Sequence, residues 1–169
     1  MEAAAFIAVA LACAPQVHVT TANALVSVES SFNPWAIGVV GGALERQPRN
    51  RAEALATARA LSTAGWNFSV GLSQINVRNF ARLSLSLEQA FEPCANLSAM
   101  QTVLVDCFKQ ARPPPSPPGM SQTTLRQALS CYYGGDFVTG FRQGYVRKVV
   151  TTSANLGRTR PVAPGKDKS

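Results

Sequence analysis

The feature that most constrains this chain is an apolar stripe at helical spacing: Leu97, Met100, Val103, Leu104, Cys107, Phe108 and Ala111. Apolar residues three and four apart line one face of an α-helix, so the segment reads as a helix buried along that face. Pro93 and Asn96 mark its start. Cys94 precedes the stripe and Cys107 lies about three turns into it. The two are therefore roughly 15 Å or more apart along the axis, whereas a disulfide needs Cα atoms within about 7 Å. They cannot pair with each other, so a bond from either must reach another part of the chain. Cys13 and Cys131 are the other cysteines. An even count with no C-x-x-C and a single His, His18, argues against zinc and for two disulfides in an oxidising compartment. Four buried free thiols are the alternative reading.

Other segments repeat the helical pattern. Residues 4–14 read as a first helix stopped by Pro15. Thr20 and Thr21 can cap a second, running to about Ser31 and ended by Asn33-Pro34. Residues 36–50 are loop-like, and Gly38 and Gly41-Gly42 allow a short hairpin. Asn50 and Glu53 form a capping-box pattern opening a helix to Ala64, with Gly65 as its stop. Trp66, Phe68, Val70 and Leu72 alternate with polar or small residues, which predicts a short strand. Residues 76–91 read as short helical pieces, 121–133 as a helix with Leu125, Ala128 and Leu129 inward, and 141–154 as the last helix. The expected fold class is mainly α (α+β), with a small β element between helices. One domain over 1–156 is expected, with 112–119 (RPPPSPPG) a Pro-rich surface loop within it and 157–169 a flexible polar tail.

Composition narrows function only modestly. With 169 residues and 46% hydrophobic content the chain can bury a core. Sixteen basic against nine acidic residues give a net charge of +7, which suits an anionic polymer. The basic residues are scattered rather than clustered, which argues against nucleic acid as a partner. No apolar run reaches the roughly 18 residues of a membrane span. Ala3–Ala14 has the composition of a signal-peptide core but no basic start, so it reads as a helix of the mature domain, with export left unexplained.

Glu29 is the chemical anomaly. It falls four residues after Leu25, on a face also carrying Ala22 and Val26. A carboxylate there is costly unless paired or protonated. One reading is a Glu at the stripe edge, paired with an Arg. The other is a desolvated carboxyl with a raised pKa, held as a general acid near neutral pH.

Residues 26–34 read VSVESSFNP, with Glu29-Ser30 before Phe32 and Asn33-Pro34. Gly71-Leu72-Ser73-Gln74-Ile75-Asn76 follows, then Tyr132-Tyr133-Gly134-Gly135. These resemble, in order, the three motifs of the soluble lytic transglycosylases. Cys13-Ala-Pro, Phe91-Glu-Pro-Cys94, Ala128-Leu129-Ser130-Cys131 and Gly144-Tyr145-Val146 resemble the branch serving type IV secretion and conjugation systems. The resemblance implies a lysozyme-like fold, disulfides Cys13–Cys94 and Cys107–Cys131, no cofactor and no metal. It implies peptidoglycan glycan strands as substrate, other secretion-system subunits as partners, and the periplasm as location. Glu29 would be catalytic, and Ser30, Gln74, Tyr132 and Tyr133 would bind substrate, Tyr132 also orienting Glu29 through its hydroxyl. Asn76 would cap the turn that follows it, and His18 is given no role. Two residues depart from the family pattern. Ser73 stands for the usual Met, trimming apolar contact beside the sugar cleft, and Tyr133 for the usual Asn.

The implied reaction cleaves the bond between N-acetylmuramic acid and N-acetylglucosamine and leaves an anhydromuramic end. A hydrolysing pair would need a second carboxylate, and Glu45, Glu53 and Asp136 are the candidates, none in a motif-like context. A goose-type lysozyme and a non-catalytic peptidoglycan-binding assembly module are the competing readings.

Overall fold

A computed structural model describes residues 1–111 and 122–158. The Pro-rich segment 112–119 and the tail beyond residue 158 lie outside the described residues. In chain order the elements are α1 (Ala3–Cys13), α2 (Val19–Ser30), β1 (Ile37–Val39), α3 (Arg51–Thr63), β2 (Phe68–Val70) and β3 (Ile75–Asn76). After a 3-10 turn (Val77–Asn79) come α4 (Phe80–Leu83), α5 (Leu87–Ala90), α6 (Pro93–Gln110), α7 (Gln122–Gly134), α8 (Thr139–Arg142) and α9 (Tyr145–Arg158). The mainly helical class with a small β element is what the sequence led us to expect. No helix among the described residues is long and apolar enough to cross a membrane.

Two apolar clusters organise these elements. The larger gathers Phe6 of α1, Leu25 and Val26 of α2, Leu97 and Met100 of α6, Leu129 of α7 and Val149 of α9. The smaller lies under the sheet, where Ile37, Phe68 and Val70 meet Ala54 and Ala58 of α3 and Phe91. The sheet is antiparallel in the order β1-β2-β3, with Ile37 opposite Val70 and Val70 opposite Ile75. β1 therefore pairs with a strand some thirty residues on, not within a hairpin of residues 36–50. The alternation of 66–72 yields a strand only over Phe68–Val70, because Gly71 takes a left-handed φ of 80° and turns the chain.

Helix ends add detail. The N-cap of α2 is His18, whose Nδ1 accepts the Thr20 N–H at 3.3 Å; Thr20 and Thr21 lie inside the helix. At α3 the Asn50 side chain accepts the Glu53 N–H. The Glu53 carboxylate turns to the Arg49 N–H and the Arg46 guanidinium instead of closing the box. The expected helix over 141–154 is two helices, because Gly144 adopts φ 75° and lets α9 start afresh at Tyr145.

Two disulfides pin the helical layer. Cys13–Cys94 joins the end of α1 to the start of α6, and Cys107–Cys131 joins α6 to α7. The first spans 81 residues of sequence. Opening a loop of that size gives the unfolded chain about 4.5 kcal/mol of added conformational freedom. The double variant Cys13→Ser/Cys94→Ser is expected to lose about that much stability in urea unfolding, with the midpoint moving down.

Candidate active site

Glu29 lies one turn beyond Leu25 and Val26 on the buried face of α2, where the helix runs out over a cleft of about 1030 Å³. The cleft separates the sheet from the helical layer: Gly38 and Gln74 line one wall, Tyr132 and Tyr133 the other. Partial burial raises the Glu29 pKa from 4.5 to about 7, against the opposing effect of one hydrogen bond from Tyr145. A carboxyl in this range is half protonated near neutral pH, as a group that gives and retakes a proton must be.

Tyr145 is the partner that sequence reasoning did not assign. Its hydroxyl donates to Glu29 Oε1 at 2.5 Å. The phenol is itself held well above its ordinary pKa, by burial and then by the Glu29 charge, so it stays a donor. The positive φ of Gly144 separates α8 from α9 and sets Tyr145 in the first turn of α9, which packs along α2. The Gly within an otherwise helical run was the available signal. Tyr133 stacks on Tyr145, with ring centroids 4.5 Å apart and planes 20° apart. It is nonetheless 47% exposed, leaving ring surface open to the cleft.

The remaining motif residues hold the cleft together. Ser30 does not line the cleft; its hydroxyl donates to the Leu72 carbonyl at 2.6 Å and clamps α2 to the segment 71–76. That geometry differs from the direct sugar contact expected of it. Tyr132 does line the cleft, but its hydroxyl donates to the Ser73 carbonyl at 2.6 Å, not to Glu29. The hydroxyl that reaches Glu29, expected to be that of Tyr132, is that of Tyr145. Gln74 has a left-handed φ of 50° and spends its amide N–H groups on the carbonyls of Ala36 and Gly71. Its Oε1 passes so close to Gly38 that a Cβ there would sit 2.7 Å away, so a larger residue at this point would push the Gln74 amide aside. Asn76 caps the 3-10 turn through the Arg78 N–H.

Ser73 does not face the sugar cleft, contrary to expectation. It is fully buried, and its N–H and hydroxyl both donate to Asn96 Oδ1 at 2.8 and 2.5 Å. The Asn96 amide also donates to the carbonyls of Val70 and Ala90. A single buried Asn of α6 thus anchors the segment that carries Gln74.

Left-handed φ values of 51° and 62° at Ser31 and Phe32 end α2 immediately after the Glu29 turn. Such conformations in non-Gly residues cost free energy and gather at functional sites. Phe32 is held there by edge-on contact with Phe6 at 5.1 Å.

None of the carboxylates suggested by the sequence joins Glu29. Glu53 pairs with Arg46, Asp136 is occupied by the Val138 and Thr139 N–H groups, and Glu45 does not line the cleft. Asp106, which sequence reasoning missed, does line it but is paired with Arg82 at 2.7 Å. Among the described residues no three His, Cys, Asp or Glu side chains come together as a metal site would require.

The Tyr145–Glu29 bond makes a specific expectation. Tyr145→Phe removes a charge-assisted hydrogen bond, a loss of about 1.5–3 kcal/mol or roughly ten- to a hundredfold in turnover. Because that bond lowers the Glu29 pKa, its removal moves the alkaline limb of the pH–rate profile upward. Steady-state rates across pH for both enzymes check this.

The chain matches the family described as Transglycosylase SLT domain over residues 7–151. It is 46% identical to a type IV secretion system protein virB1 of Brucella suis biovar 1 (strain 1330), over 94% of this chain and 67% of that protein. It is 38% identical to a protein virB1 of Agrobacterium fabrum (strain C58 / ATCC 33970), over 85% of this chain and 57% of that protein. A protein virB1 of Rhizobium radiobacter is 37% identical over 92% of this chain and 64% of its own length. The chain thus spans about two thirds or less of these relatives. No solved structure matches it.

Proposed function

Because the chain belongs to the transglycosylase SLT domain family and sets one carboxyl of raised pKa in its cleft, we propose that it is a peptidoglycan lytic transglycosylase working through Glu29 alone. The observation that carries the reading is Glu29 itself: half-buried, titrating near 7, donated to by Tyr145, with Asp106 already spent on Arg82.

The protonated Glu29 gives its proton to the glycosidic oxygen between N-acetylmuramic acid and N-acetylglucosamine, and the bond from that oxygen to the anomeric carbon breaks. The substrate's acetamido group shares the positive charge that develops, as in substrate-assisted glycosidases. The Glu29 carboxylate then takes the proton of the muramic acid's own primary hydroxyl, whose oxygen closes onto the anomeric carbon. An anhydro ring forms, Glu29 is protonated again, and no water is consumed. Tyr145 fixes the carboxyl through Oε1, leaving the other oxygen to exchange the proton. Tyr133 and Gln74 Oε1 offer the sugar a ring surface and an acceptor.

The likeness to type IV secretion virB1 proteins supports a role in opening the wall locally for a secretion or conjugation apparatus, beside other subunits of that system. The two disulfides support an oxidising location such as the periplasm. A charge of +7 suits an anionic wall.

Digestion of purified peptidoglycan, with soluble fragments and reducing ends counted together, tests the activity. Release of fragments without a matching rise in reducing ends is the expected result. Equal rises would make the chain a goose-type hydrolase, and binding to the wall without release would make it a non-catalytic module.

A further inference from the structure

The cleft carries a charge that the reaction does not use. Among the described residues, four charged side chains line it: Glu29, Arg78, Arg82 and Asp106. Arg82 and Asp106 neutralise each other across 2.7 Å. With Glu29 protonated, the charge left among these described residues is the positive one of Arg78. Its guanidinium has no carboxylate partner among the described residues, whereas Arg46, Arg51, Arg59 and Arg82 all do. Arg78 is exposed, yet its backbone is fixed: it lies in the 3-10 turn directly after β3, where its N–H is bonded to Asn76 Oδ1 at 3.0 Å. The turn begins only one residue after Asn76 and three after Gln74, so the cation stands on the same wall as Gln74. The amide side chains of Asn79 and Gln110 line the cleft as well.

From this placement we propose that Arg78 forms a carboxylate subsite that selects glycan by the acidic side arm of muramic acid. The inference rests on the peptidoglycan reading above. Each muramic acid bears a lactyl group that ends in a carboxylate or continues into a peptide with carboxylates of its own. A guanidinium presents a planar fork that matches a carboxylate through two parallel hydrogen bonds, and it remains charged at every relevant pH. Arg78 is thus a specificity-determining residue: it holds the side arm while Glu29 acts on the backbone of the same strand. The neighbouring Arg82 cannot serve, because Asp106 already occupies it.

Binding separates this inference from the catalytic one. Affinity for uncut soluble strands is measured for Glu29→Gln and for Glu29→Gln/Arg78→Gln at low salt, with Arg78→Lys as the conservative variant. The probes are strands with intact stem peptides, strands stripped by an amidase so that only lactyl carboxylates remain, and strands whose carboxyls have been converted chemically to amides. Arg78→Gln is expected to weaken binding of carboxylate-bearing strands about fivefold, the scale of one solvent-accessible ion pair. The loss shrinks for amidated strands and at high salt, and Arg78→Lys retains part of the affinity. A loss on stripped strands identifies the lactyl carboxylate as the partner; a loss confined to intact strands identifies the stem peptide. An equal loss on amidated strands, or no loss on any strand, overturns the proposal. Because nothing is cut in these measurements, the outcome stands whether or not the wild-type chain forms anhydro ends.

Discussion

Glu29→Gln is expected to lower turnover of peptidoglycan by about a thousandfold, the scale of a lost general acid that also serves as base. The amide keeps the shape of the carboxyl but has no proton to give at the glycosidic oxygen. The same substitution is expected to make the protein more stable at alkaline pH. Folding raises the Glu29 pKa from 4.5 to about 7, so the folded state favours the protonated form. That contribution is fully present below about pH 4.5 and is lost as pH rises through 7. Above pH 7 the wild type must hold an ionised carboxylate in a partly buried site, and Gln need not. The shift corresponds to about 3 kcal/mol at most, so urea midpoints at pH 8 should favour the variant and those at pH 4 should coincide. Activity of the wild type should decline as pH rises through about 7, since the acid must be protonated. No acid-side limb from a second ionised carboxylate is expected, because the one carboxyl is regenerated in each turnover.

The second large effect falls at Asn96, well away from the reacting atoms. Asn96→Leu keeps the branched shape, with somewhat more bulk, but strips partners from the Ser73 N–H and hydroxyl and from the carbonyls of Val70 and Ala90. Unsatisfied buried polar groups cost about 1–3 kcal/mol each, with partial relaxation. We expect a loss of about 4 kcal/mol and a fall in Tm of roughly 10 °C. Gly71 borders the same amide. A Cβ at position 71 would meet Asn96 Nδ2 and the Ala90 carbonyl oxygen at 2.7 Å or less, at a φ of 80°. Gly71→Ala should therefore be severe alone. It should cost less in an Asn96→Ala background, because the amide that it strikes is gone. Thermal unfolding of the two single variants and the double variant measures this coupling.

What the sequence disclosed follows the reach of its local rules. The stripe from Leu97 to Ala111 declared α6, and the order of Glu29, Gln74 and Tyr132 pointed to one cleft. Contacts between distant segments escaped those rules. Asn96 falls on the buried face with Leu97 and Met100, so its polarity was as anomalous as that of Glu29, yet periodicity could not say which carbonyls it would meet. Tyr145 was hidden by the continuity of the helical pattern across 141–154, which the positive φ of Gly144 breaks. The inward turn of Ser73 and the Ser30–Leu72 bond depend on how 71–76 sits between α2 and α6, which no local spacing encodes. The same holds for Asp106, whose pairing with Arg82 spans 24 residues. His18 could be read as a cap only once the start of α2 was fixed.

In the proposed reaction one carboxyl directs an attack from within the substrate. Digestion of purified peptidoglycan in 18O-enriched water, followed by mass spectrometry of the muropeptides, tests it most directly. The wild type should yield anhydromuramic ends carrying no label, and Glu29→Gln should yield them about a thousandfold more slowly. Labelled reducing ends from the wild type, or anhydro ends from Glu29→Gln at a rate close to that of the wild type, would contradict it.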